Sequence, residues 1–304
     1  MRAMEEKIIR VIEEQGPMTG AELLARLEVD GLVLWRACRG SRRVVLQRIG
    51  TRYLRLDRRV EGYGRLSPSI LREFLTYTVA GLRGDEEGLQ TRCRALLAHI
   101  REVSRAKLDL AYRTVSALAS SLDTEESVGE HACFIIAGDI VFEMAHDVPR
   151  PERSTGKLVS GSDMDVVVVV DDRAPESLVR RLDEAIYAEK YRLLVTPHIR
   201  EEIDYVVKRE ARVREQVRFD TFRHMVACKI LDEGTLLHGS EEIFHRVKAL
   251  LREAGVRDKL RELEARARAF RRLAEEYLLE EDPMRAREEK LFLFFPTEES
   301  EEFE

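Results

Sequence analysis

Apolar residues recur at intervals of three and four over 4–15 (Ile8, Ile9, Val11, Ile12) and 20–27 (Leu23, Leu24, Leu27), and "GPMTG" interrupts them. That spacing predicts two short helices separated by a Gly/Pro break. "GLVLWRACRG" supplies a third helix, after which "RRVVLQRIGTRYLRLD" alternates with period two around "IGTR", as a hairpin does. Three helices and a hairpin are the order of a winged helix-turn-helix, assigned to residues 1–65. "SPSILREFLTYTVAGLR" then reads as a helix with Ser67 at its cap and Pro68 in its first turn. Beyond it, Leu89, Cys93, Leu96, Ile100, Val103, Leu110, Val115, Leu118 and Leu122 keep near one helical stripe, so residues 66–127 are expected to form a helical connector.

"HACFIIAGDIVFEMA" begins as a buried strand, Cys133 to Ala137, and is expected to turn at Gly138 into an apolar-periodic helix. A long loop, "HDVPRPERSTGKLVSGS", leads to five consecutive valines, 166–170, which predict a strand buried on both faces. "APESLVRRLDEAIYAEK" reads as a helix and "YRLLVTP" as a strand. "EIDYVVK" fits a strand through Ile203, Tyr205 and Val207, and fits equally a helix running through "REEIDYVVKREARVREQ". Residues 210–290 read as almost wholly helical. "LFLFFP" is too hydrophobic for solvent and is expected to dock on the body of the chain or on a second copy, which leaves a homo-oligomer open. The expected fold class is α+β and helix-rich: a winged helix (1–65), a helical connector (66–127), an α/β domain with a mixed sheet (128–240), and C-terminal helices with an acidic tail (241–304).

Composition narrows the setting. Of 304 residues 44% are hydrophobic and 36% charged, and no apolar run approaches the roughly 18 residues needed to span a bilayer. The opening "MRAMEEKIIRVIEEQG" lacks the apolar centre of a secretory signal, so a cytoplasmic protein without a membrane partner is expected. Cys38, Cys93, Cys133 and Cys228 are scattered, and His131, His146, His198, His224 and His238 show no ligand spacing, which argues against zinc or a disulfide framework. The net charge of −6 conceals an excess elsewhere: residues 31–65 carry ten Arg against Asp57 and Glu61, a local balance of +8. In a winged helix such arginines, with Arg36, Arg39, Arg42, Arg43, Arg52 and Arg55 as candidates, would meet the phosphates of DNA or RNA. The alternative is a basic face that docks onto the chain's own acidic helices.

The chemistry centres on "SGSDMDVVVVV". Strand side chains at i and i+2 share a face, with α-carbons about 6.6 Å apart, so Asp163 and Asp165 converge. Two such carboxylates repel unless a divalent cation lies between them, and hard oxygen ligands suit magnesium. Gly161 lets the backbone approach a phosphate, Ser162 offers a hydroxyl, and a helix starting at Gly138 would seat a phosphate at its N-terminus.

Strand, glycine, helix, loop and then G-S-D-x-D opening a second strand resembles the DNA polymerase beta-like nucleotidyltransferase superfamily over roughly residues 128–240. The resemblance implies transfer of a nucleoside monophosphate from a nucleoside triphosphate to a hydroxyl of an RNA end or a protein, with two magnesium ions on the D-x-D pair. It implies a third carboxylate on a neighbouring strand, for which Asp204 is the candidate if "EIDYVVK" is a strand. It also implies triphosphate contacts from the turn at Gly138 and Asp139 and from Gly161 and Ser162. Asp139 stands where the family has serine, and 25 residues separate Gly138 from Asp163, so Ser154, Thr155 and Lys157 are alternative phosphate contacts. The other class of function is a DNA-binding regulator whose nucleotidyltransferase-like domain senses nucleotide without turnover.

Overall fold

The computed structural model describes residues 2–123, 127–152, 155–282, 284–286 and 293–294. They fall into two compact units: Ile100–Glu262 is one, and the segments up to His99 and from Leu263 onward form the other. The boundaries fall inside two long helices, α5 (Glu86–Leu122) and α11 (Val256–Glu280). Among the described residues no helix is long and apolar enough to cross a membrane.

In the unit containing the N-terminal segment, α1 (Arg2–Gln15), α2 (Gly20–Leu27) and α3 (Gly31–Gly40) lie where the apolar spacing puts them. Thr19 and Glu22 form a capping box on α2, and the Asp30 carboxylate accepts from the amides of Leu32 and Val33 to cap α3. The strands depart from the sequence reading. β1 (Met18–Thr19) and β2 (Val44–Arg48) both pair antiparallel with β5 (Thr78–Leu82), giving the order β1-β5-β2. β3 (Tyr53–Leu56) pairs instead with β4 (Gly64–Ser67), so the expected hairpin around "IGTR" is replaced by two separate pairings. The helix expected from Ser67 is also shorter. Its cap is Ser69, α4 covers only Ile70–Thr76, and the β-favouring run from Thr78 joins the sheet. Of "LFLFFP", Phe294 is fully buried with its ring 5.7 Å from Trp35, and its carbonyl accepts from the Leu71 amide at 3.3 Å. Residues 291–292 and 295–296 of that run and the acidic tail lie outside the described residues.

The other unit is a mixed four-stranded sheet. After α6 (Val128–His131) the strands are β6 (Ala132–Ala137), the small pair β7 (Arg150–Pro151) and β8 (Leu158–Val159), β9 (Met164–Val170), β10 (Ile203–Arg209) and β11 (Thr235–Gly239). The sheet order is β10-β9-β6-β11, with β10 parallel to β9 and the other pairings antiparallel. α7 (Glu176–Val195) makes the crossover between the parallel strands and absorbs "YRLLV", which the sequence reading made a strand. Gly138 opens a single 3₁₀ turn, Gly138–Ile140, rather than the expected helix, because Glu143 takes a left-handed backbone (φ 53°) and the Met144 amide bonds back to the Asp139 carbonyl. α8 (Glu210–Gln216), α9 (Phe222–Glu233) and α10 (Glu241–Glu253) complete the unit.

Val166, Val168 and Val170 pack with Leu178, Leu182 and Ile186 of α7 and Ala111, Val115 and Leu118 of α5. Strand alternation sends Val167 and Val169 to the opposite face, where α9 and α10 pack. Each of the five valines is at most 1% exposed. At the end of β9, Asp171 accepts from the Arg173 amide at 2.8 Å and its guanidinium at 3.2 and 3.1 Å, and Arg246 stands 3.4 Å away. Arg246 also grips Glu210 with two nitrogens, at 3.1 and 2.5 Å. The hydrogen bonds from Arg173, reinforced by Arg246, hold the Asp171 carboxyl down at about 2.

A folded-state pKa below the unfolded value of about 3.9 means stability that is complete above that value and lost as pH falls toward 2. Asp171→Asn should therefore lower stability by about 1 kcal/mol at neutral pH. Denaturant melts should show that difference shrinking between about pH 4 and pH 2.

Candidate metal centre

Asp163 and Asp165 flank buried Met164 at the start of β9, so strand alternation turns them to the face opposite the α7 core. "EIDYVVK" is a strand, and Asp204 lies in direct register with Asp165 on the parallel neighbour β10. On the other side of Asp165 stands Ala137, the last residue of β6. One carboxylate oxygen from each of Asp163, Asp165 and Asp204 lies within 4.8 Å of the others, and all three side chains are half-buried. An octahedral magnesium ion with bonds of about 2.1 Å sets its ligand oxygens roughly 3 to 4 Å apart, so small side-chain rotations complete the fit. The donor set is all oxygen, as that ion requires.

Gly138 makes room for this arrangement. Its φ is +73°, and a Cβ there would stand 2.0 Å from Asp165 Oδ2. Any other residue at 138 would displace that carboxylate. The Gly138 amide donates to Glu233 Oε1 at 3.3 Å, and Lys229 holds the same oxygen at 2.9 Å.

Cations offset part of the repulsion. Lys190 of α7 reaches Asp204 at 2.8 Å, while Arg150 lies 3.4 Å from Asp163 and 2.9 Å from Glu202. Burial opposes the charge on Arg150, but Asp163, Glu202 and Asp204 outweigh it and raise its pKa. Lys190 is likewise raised against its burial by the hydrogen bond to Asp204. Burial pushes the Glu202 carboxyl above its usual range, and the Asp204 charge adds to that. Four carboxylates against Arg150 and Lys190 leave two negative charges, one divalent cation's worth. Arg150, Lys190 and Glu202 escaped the sequence reading because a lysine 14 residues before Asp204 faces it only through the crossover packing of α7 on β10.

The candidate phosphate residues are placed differently from one another. Ser162 is buried, donates its hydroxyl to Asp139 Oδ2 at 2.7 Å and accepts from the His146 amide at 3.2 Å, so it ties the loop before β9 to the turn after β6. The Asp139 carboxylate is correspondingly directed at Ser162. Gly161 (φ +65°) is pressed against the His146 carbonyl, which a Cβ would meet at 1.9 Å, and its own carbonyl accepts from Arg150 Nε at 2.6 Å. Thr155 spends its amide and hydroxyl on Glu152, Lys157 is exposed between β7 and β8, and Ser154 lies outside the described residues.

Most of the six arginines proposed for nucleic acid are engaged by other groups of the chain. Arg36 donates to the carbonyls of Glu281 and Leu279 at 2.6 and 2.9 Å, Arg39 pairs with Glu275 and Arg43 with Glu13. Arg52 grips Glu73 at 2.6 and 2.5 Å. Arg42 is exposed, and Arg55 is half-buried.

Gly138→Ala should strain a left-handed position and push Asp165 aside, costing about 1–3 kcal/mol of stability. Thermal melts with and without manganese should show the metal-induced rise in melting temperature disappearing in this variant.

No protein-family model matches this chain, and no curated protein matches it.

Proposed function

We propose that the unit holding the carboxylates transfers a nucleoside monophosphate from a nucleoside triphosphate to a hydroxyl acceptor. The observation that carries this reading is Asp204 standing in register beside Asp165: the D-x-D motif alone supplies two carboxylates, and the parallel neighbour supplies a third. Asp163, Asp165 and Asp204 are the residues that would hold magnesium, which when bound neutralises a triphosphate and makes a nearby hydroxyl more acidic. Asp163 and Asp165 orient the donor side. Asp204, on the edge strand, takes the acceptor proton. Arg150 pairs with Asp163 and Lys190 with Asp204, and both hold the carboxylates in place until substrate arrives. Gly138 keeps the backbone clear of Asp165, and Asp139 is turned to the Ser162 hydroxyl, away from a triphosphate.

A sensor that binds nucleotide without turnover has no use for the acceptor-side carboxylate, so Asp204 favours the enzyme over the regulator. The order α1, β1, α2, α3, β2, with β5 as the third strand, supports a winged helix-turn-helix carrying residues 49–77 as an insertion. Nucleic acid is accordingly the acceptor we propose. Its phosphates would meet Arg42 and Arg43, the latter held by an exposed pair to Glu13 of little strength.

The test is incubation of the full chain with each α-labelled triphosphate, magnesium and total cell RNA or protein, following label and released pyrophosphate. Asp163→Asn and Asp165→Asn should each lower transfer by about a thousandfold or more. Asp204→Asn should lower kcat comparably while leaving triphosphate binding within about threefold. Full transfer in any of the three variants refutes the assignment.

A further inference from the structure

A second charged concavity lies in the unit that holds α3, α4 and α11. It has a volume of about 130 Å³, and four arginines line it, Arg39, Arg48, Arg52 and Arg271. Glu73 and Glu275 are the carboxylates on its wall. Those two are shared several ways: Arg52 grips Glu73 and reaches Glu275 at 3.1 Å, Arg271 Nε donates to Glu275 at 2.7 Å, and Arg39 stands 3.4 Å from it. Arg271 is 5% exposed, and its Nη2 lies 3.2 Å from Glu73 without completing a hydrogen bond. Arg48 is exposed, and its side chain makes no hydrogen bond or ion pair among the described residues.

Four cations against two anions leave the cavity at +2. Burial, with the Arg52 charge beside it, pushes the Arg271 guanidinium below its usual range despite the pull of Glu73 and Glu275. The wall therefore lacks negative charge. Trp35 and Phe74 complete it with apolar surface. The volume leaves room for one phosphate group.

We propose that this cavity binds a compact phosphate dianion, with the Arg48 fork closing on it from the rim, the buried Arg271 Nη2 facing it from the wall, and Arg52, which stays paired to Glu73, contributing its charge alone. Guanidinium forks match phosphate oxygens in pairs, and a partly shielded dianion here supplies the charge that Glu73 and Glu275 do not. The site is separate from the carboxylate cluster and requires no metal.

Trp35 is the only tryptophan of the chain and lines the cavity, so its fluorescence reports on this site. The full chain should be titrated with inorganic phosphate, and in parallel with pyrophosphate, in EDTA at constant ionic strength set with chloride. The expected result is a saturable change with phosphate that Arg48→Gln weakens by about tenfold. Arg48→Lys should retain part of the affinity, since charge survives but the fork does not. Arg10→Gln, which removes an exposed arginine outside the cavity, should bind as the unaltered chain does. Absence of a saturable change, equal binding by Arg48→Gln, or equal loss in Arg10→Gln overturns the proposal, and a response to pyrophosphate alone overturns its ligand class.

Discussion

Mutual repulsion among Asp163, Asp165 and Asp204 is the constraint around which their unit is arranged. Three carboxylates within 4.8 Å of one another would spread apart on a yielding backbone. Here they stand at the head of β9 and on β10, whose in-register pairing runs from Met164–Ile203 to Val170–Arg209 and is held by valines buried on both faces. The rigid core thus carries the cost of the charge, as functional sites generally require of their scaffold. Gly138 shows the same constraint from the other side: the chain accepts a left-handed residue at the end of β6 so that nothing occupies the space beside Asp165.

The parts of this site legible in the sequence were those governed by local periodicity. Alternation alone puts Asp163 and Asp165 on one face, and five valines announce a doubly buried strand. Asp204 was not decidable in that way, because Ile203, Val206 or Val207 and Val213 satisfy helical spacing while Ile203, Tyr205 and Val207 satisfy strand spacing. Tertiary pairing chose: α7 extends to Val195, removing "YRLLVTP" as a competing strand, and the open edge of β9 is filled by Ile203–Arg209. The neighbours Arg150 and Lys190 had no local signal, since each reaches its carboxylate across a loop or a crossover.

In the unit containing the N-terminal segment the misreadings have a different origin. "RRVVLQRIGTRYLRLD" does contain two strands, but period-two alternation says nothing about which strand pairs with which. β2 found its partner at Thr78–Leu82, thirty residues away, inside a stretch whose opening serine and proline mimic a helix start. The β-branched and aromatic residues in "TYTVAGL" were the signal against continuing that helix, and the Ser69 cap places the true start two residues later than Ser67. The arginine count misleads for a related reason. A local balance of +8 describes residues 31–65, whereas the groups that answer Arg36, Arg39 and Arg52 come from Glu73 and from Glu275, Leu279 and Glu281, more than two hundred residues later in the last case.

That redistribution changes what the arginines can do. An arginine paired to a carboxylate at 2.5 Å gives up little to a passing phosphate, because binding would have to replace a charge-assisted fork already made. Affinity for an anion then depends on the guanidiniums left over after internal pairing, not on their number. At the carboxylate cluster the same accounting runs with opposite sign: Arg150 and Lys190 leave two negative charges, whereas Glu73 and Glu275 leave two positive ones at the cavity below Arg48. Each site therefore carries a residual charge that its own fold does not neutralise, and in each case the residue types that produce the residue of charge also select the ligand. Three hard carboxylate oxygens within 4.8 Å of one another favour a small divalent cation, and planar guanidinium forks in a volume of about 130 Å³ favour a tetrahedral oxyanion.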